Sequence, residues 1–237
     1  MRIKKQTSNQ LSISKNQLDY FDRFLVASTH RTLDVLETMF SLNIESSDSN
    51  IKILPTVDIQ DLEPFGNESL FIISSEMTGE MQGSLKLLMC SKGFASLGKS
   101  LKSTLKLLFL SSPDADLSTL EDQIPEWMEE GQHPDSDDPV FLKLMTDTST
   151  ELGNILFGIY TDAIYSVFDL HTHHSLPVFS RDTQQQYIQG MLSSPDLLNK
   201  QHLVIQNDFT ISGENFGLWC LISPAKKSLQ VMLDRVG

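Results

Sequence analysis

Apolar residues first recur at mostly helical spacing between about Leu18 and Leu42, where Phe21, Leu25, Leu33, Leu36 and Phe40 mark one face. Three short runs then read as strands: Ile51 to Val57, Leu70 to Ser75 and Ser84 to Cys90. Between the last two, Gly79 and Gly83 frame a hairpin turn. From Gly93 to about Leu108 the helical period returns through Phe94, Leu97, Leu101 and Leu105. The first half is thus predicted as helix, three strands, helix.

The same order repeats. An amphipathic helix is predicted from Phe141 to about Phe168, strands at Leu176 to Phe179, Leu203 to Phe209 and Gly217 to Ile222, and a closing helix from Ala225 to Val236. Gly213 and Gly217 repeat the spacing of Gly79 and Gly83, and the apolar runs after them align without a gap. Two three-stranded units each have little core and an open sheet edge, so the economical arrangement joins them. The expectation is one α+β domain over residues 1–237, with repeats at about 18–110 and 140–237 sharing one antiparallel sheet layer on which the long helices pack. Residues 111–139 form the linker, with Leu117, Leu120, Ile124 and Trp127 at helical spacing, and 181–200 lengthen the second repeat between its Pro and its first Gly.

Charge and composition narrow the function. The formal charge is -13, and ten of the 31 acidic residues but none of the 18 basic ones lie in 111–139. A surface of that sign repels phosphate backbones, which argues against a nucleic-acid partner, and the linker reads as a solvated connector. No apolar run reaches the roughly 18 to 20 residues of a membrane span, and the first residues lack the apolar stretch of a signal peptide. Cys90 and Cys220 form neither a disulfide framework nor a zinc motif. The expectation is a soluble cytoplasmic protein. His171, His173 and His174 match no metal-site spacing and sit where a helix C-terminus favours imidazole without a metal.

The candidate chemistry lies on the second long helix. Asp147, Glu151, Asn154 and Gly158 are four, three and four residues apart and share one polar stripe. Leu144, Thr148, Leu152, Ile155, Ile159 and Ala163 occupy another face and supply the core contact, so Glu151 and Asn154 are expected to stand in solvent. Pro177 follows Asn154 after twenty-two intervening residues.

This stretch resembles the CheC, CheX and FliY chemotaxis phosphatases, whose pattern is Asp or Ser, three residues, Glu, two residues, Asn, twenty-two residues, Pro. Asp147, Glu151, Asn154 and Pro177 satisfy it, and Gly158 fits the Gly that commonly follows. The resemblance implies a CheC-like fold and hydrolysis of the aspartyl phosphate on a CheY-like response regulator. It implies that Asn154 orients the attacking water, that Glu151 pairs with the regulator's active-site lysine, and that the regulator supplies Mg²⁺, so that the protein needs no cofactor or metal of its own. A carboxamide suits that task, because it accepts and donates hydrogen bonds without changing ionisation state. Counting back from Pro55 puts a degenerate first site at Thr29 and Thr32, with Leu25 in the Asp position, and makes the chain a single-site, CheX-like member. Thr29 and Thr32 are then expected to be exposed like their counterparts. A homodimer stays open. The competing reading is a non-catalytic interaction module like the middle domain of the flagellar switch protein FliM. An enzyme for small phosphorylated metabolites is disfavoured, because the stripe carries no basic residue to hold free phosphate.

Overall fold

The computed structural model describes residues 13–40, 44–59, 69–90, 139–194, 196–197, 200–211 and 214–237. The helix expected at Gly93 to Leu108 and the acidic linker lie outside the described residues. In chain order the elements are helix α1 (Lys15–Phe40), strand β1 (Ile44–Pro55), the one-turn α2 (Thr56–Ile59), β2 (Ser69–Gly79) and β3 (Gly83–Cys90). Then come α3 (Pro139–Phe168), β4 (Thr172–His174), β5 (Val178–Thr183), α4 (Gln184–Ser193), β6 (Gln201–Ile211), β7 (Glu214–Pro224) and α5 (Lys226–Arg235).

The seven strands among the described residues join one sheet in the order β1-β6-β7-β3-β2, with β4 and β5 both on the outer side of β2. Every pairing is antiparallel. The class is therefore α+β, with duplicated units sharing one sheet. The order is palindromic. The last two strands of each half form a central hairpin, and the first strand of each half crosses over to flank the other half's hairpin. Gly79 and Gly83 take positive φ at the β2–β3 turn, which only glycine adopts at low cost.

Alternation along the strands separates two apolar faces. One packs under α1 and α3, where Phe21, Phe24, Leu25, Leu156, Phe157, Tyr160 and Phe168 meet Ile73, Leu87, Ile205 and Cys220. The other is a smaller cluster of Leu70, Ile72, Leu88, Val204 and Trp219 under α4, through Tyr187 and Met191. Helix α4 begins at a capping box, in which the Thr183 hydroxyl accepts from the Gln186 backbone N–H and the Gln186 side chain accepts from the Thr183 backbone N–H.

Two expectations need correction. Residues 181–200 are not a uniform insertion, since 181–183 complete β5 and Gln184–Ser193 form α4, which follows β5 as α2 follows β1. The register between halves also differs from the one counted back from Pro55. The end of α1 at Phe40 corresponds to Phe168, the start of β1 at Ile44 to Thr172, and the end of β1 at Pro55 to Thr183, not Pro177. Pro55 closes a strand and Pro177 precedes one, so the two prolines are unrelated landmarks.

Candidate functional site

Helix α3 lies across the sheet with one long side buried, Leu152, Leu156, Phe157, Tyr160 and Ile164 being almost wholly inaccessible. With that side committed to the core, the helical period turns Asp147, Glu151 and Asn154 outward, and all three are exposed. Asp147 lies 4.0 Å from Lys143 one turn earlier, both side chains largely in water. Among the described residues no hydrogen bond or ion pair engages the side chain of Glu151 or Asn154. A Cβ added at Gly158 would meet nothing within 4 Å, so the helix surface one turn beyond Asn154 stays open.

Gly153, which spacing alone did not single out, is the close contact. A Cβ there would lie 2.5 Å from the Ile73 side chain and 3.0 Å from that of Pro177. Pro177 is buried and seats against the helix backbone between Glu151 and Asn154. Its segment is pinned on both sides. Ser175 N–H donates to the Glu76 carbonyl at 2.9 Å, Ser75 Oγ donates to the Ser175 carbonyl at 2.8 Å, and Ser74 Oγ donates to the Val178 carbonyl at 3.3 Å. Thus Asp147, Glu151, Asn154, Gly158 and Pro177 come together, the first three as exposed groups, Gly158 as open helix surface, and Pro177 as the wedge that fixes the β4–β5 segment on the helix. A helix-interior glycine beside the motif's Asn was the available signal for this close approach.

Thr29 and Thr32 do not form an exposed twin of this site. Thr29 is 7% exposed and donates from Oγ1 to Asn207 Oδ1 at 2.8 Å, and Thr32 is fully buried. With Phe40 matched to Phe168, the counterparts of Asp147, Glu151, Asn154 and Gly158 are Asp19, Arg23, Val26 and His30, all exposed on α1. Thr29 and Thr32 instead match the buried Phe157 and Tyr160. Burial holds the Tyr160 phenol well above its usual range, and Thr32, Cys220 and Asn207 stand around its hydroxyl, none in strict hydrogen-bond geometry.

One turn past Gly158 an open cavity of about 330 Å³ is lined by Thr161, Asp162, Tyr165, His171, His173 and His174. His174 leans on Phe157 with ring centroids 5.9 Å apart, and the His171 ring lies tilted against Tyr165 with centroids 4.5 Å apart. Among the described residues no group of three or more His, Cys, Asp and Glu side chains could hold a metal ion, and no helix is long and apolar enough to cross a membrane.

No protein-family model matches the chain. A search of curated proteins likewise finds no match. Solved structures do resemble it. Thermotoga maritima FliY superposes with a TM-score of 0.63 at 11% identity, over 95% of this chain and 98% of that one. A chain of the FliG–FliM complex from H. pylori gives 0.54 at 13% identity, over 94% and 100%. The FliM middle domain from Vibrio alginolyticus gives 0.52 at 9% identity, over 86% and 93%. At such identities the likeness is one of fold: the chain has the CheC-like fold that FliY and the FliM middle domain share.

Proposed function

We propose that this protein is a phosphatase acting on the aspartyl phosphate of a CheY-like response regulator, in chemotaxis or another two-component pathway, and that it works in the cytoplasm. The observation that carries the reading is the placement of Glu151 and Asn154: adjacent turns of one helix, exposed, unused in packing, and beside a proline wedge that holds the neighbouring segment still. Acyl-phosphate hydrolysis needs chiefly a water held in line with phosphorus, so positioning does most of the work. In this reading the Asn154 carbonyl accepts a hydrogen bond from that water while its NH₂ donates one to a neighbouring oxygen. Glu151 docks on the regulator's lysine. Mg²⁺ and the phosphoaspartate belong to the regulator, and the protein contributes no metal ligand.

Asn154→Ala is expected to lower single-turnover dephosphorylation by about 100-fold or more with binding nearly intact, because its interaction arises in the transition state. Glu151→Ala is expected to weaken binding as well, and the weakening should shrink as ionic strength rises. Near-normal turnover by Asn154→Ala would refute the assignment. Absence of turnover by the wild-type chain would instead favour a non-catalytic interaction module, the reading to which the FliM likeness lends support.

A further inference from the structure

Leu176 and Val178, on either side of the buried Pro177, are 80% and 62% exposed, more than any other large apolar residue described. Such residues at a chain's mobile tip would be unremarkable; these are held in place. Pro177 fits against Gly153, Ser175 is bonded to β2 on one side of Leu176, and Val178 pairs with Ser74 in the edge strand β5 on the other. The fold therefore presents two apolar side chains to water from a fixed backbone, next to the turn that carries Asn154. Ordering exposed apolar groups gains nothing within the monomer, whereas a preorganised apolar pair loses little entropy when a partner covers it.

We infer that Leu176 and Val178 form a second docking element for the phosphorylated receiver protein, covering an apolar patch beside its phosphoaspartate while the Glu151–Asn154 stripe enters the phosphate site. The inference rests on the phosphatase reading for the partner's identity. It divides the labour: the acidic stripe of Asp147 and Glu151 meets a cationic pocket, and the β4–β5 segment supplies apolar affinity and fixes the angle of approach.

The test uses the full chain and a CheY-like receiver from the same genome, loaded with beryllofluoride for binding titrations and with phosphate for turnover. Leu176→Asp and Val178→Asp are expected to raise Kd and KM by about 10- to 100-fold, the scale of losing one buried aliphatic side chain. Their kcat should stay within about twofold of wild type. Leu176→Ser should give the same split more weakly, with an unchanged melting temperature. Val57→Asp, an exposed apolar site on α2, should change nothing. Unchanged Kd and KM in the Leu176 and Val178 variants, with Asn154→Ala inactive, would overturn the docking role and leave the phosphatase reading standing. Weakened binding in those variants, with no dephosphorylation by the wild-type chain, would uphold the docking role and overturn the phosphatase reading. An equal effect of Val57→Asp, or a wild-type chain that binds no receiver, would overturn the inference outright.

Discussion

Gly153 is the residue on which the site's geometry depends, because it is the place where α3 and the β4–β5 segment touch backbone to ring. Replacing a helix-interior glycine with alanine ordinarily stabilises by up to about 1 kcal/mol. Here the new methyl would sit 2.5 Å from Ile73 Cγ2 and 3.0 Å from Pro177 Cβ, and neither neighbour is the free end of a flexible chain. Overpacking of that kind costs about 1 to 3 kcal/mol, so the clash outweighs the propensity gain. Gly153→Ala is expected to lower the melting temperature by several degrees, whereas Gly158→Ala, with open space around it, should raise it or leave it unchanged. Two thermal melts decide the matter, and a stabilised Gly153→Ala protein would mean that Pro177 does not bear on the helix.

At the scale of elements, α1 and α3 are twins: once Phe40 is set against Phe168, burial matches at every described position from Asp19 to Thr29 against Asp147 to Phe157. Placing Glu and Asn at Thr29 and Thr32 would force a carboxylate into the core beneath α1 and break the bond from Thr29 to Asn207. The cost is expected to be on the order of 3 kcal/mol or more. Arg23→Glu with Val26→Asn, at the exposed twin positions, forfeits among the described residues only the Arg23 contact 5.0 Å over the Tyr20 ring, and should stay within about 1 kcal/mol of wild type. Denaturant midpoints of the two double variants would separate the registers. The two long helices, the β2–β3 and β6–β7 strands and the outward stripe on α3 were legible in the sequence because periods of 3.6 and 2 report which side faces the core. The register between halves was not, since it was anchored on Pro55 and Pro177, and proline marks a strand's end or its start equally well. β4 and β5 were read as one short strand because Pro177 interrupts the ladder and the outer positions of an edge strand carry no apolar alternation. The Leu176 and Val178 surface was invisible for a related reason: apolar letters in a predicted strand are read as core.

In the whole molecule, the crossing of each half's first strand onto the other half's hairpin means that tertiary ties run between halves throughout, and one of them is set to respond to acid. His202 on β6 is fully buried, its Nε2 2.8 Å from the Thr56 hydroxyl and its Nδ1 2.6 Å from the Ser223 hydroxyl, while Thr56 also donates to the Leu197 carbonyl. It thereby joins the end of β1 to β6 and β7. Burial, reinforced by the nearby charges of Lys200 and Lys86, lowers its pKa from 6.5 to about 4. The unfolded chain takes up this proton as pH falls through about 6.5, but the folded chain does so only near 4. Stability from this group is therefore complete above about pH 6.5, declines as pH falls, and stops declining below about pH 4, for a total on the order of 3 kcal/mol. Between about pH 7.5 and about pH 5, a range that avoids most carboxylate titration, wild type should lose about 2 kcal/mol. His202→Gln should be less stable at neutral pH, having lost one of two buried hydrogen bonds, yet its stability should vary little over the same range. Urea midpoints of both proteins at the two pH values measure the difference. Parallel declines would place the acid sensitivity in other groups and make His202 a structural bond without a protonation cost.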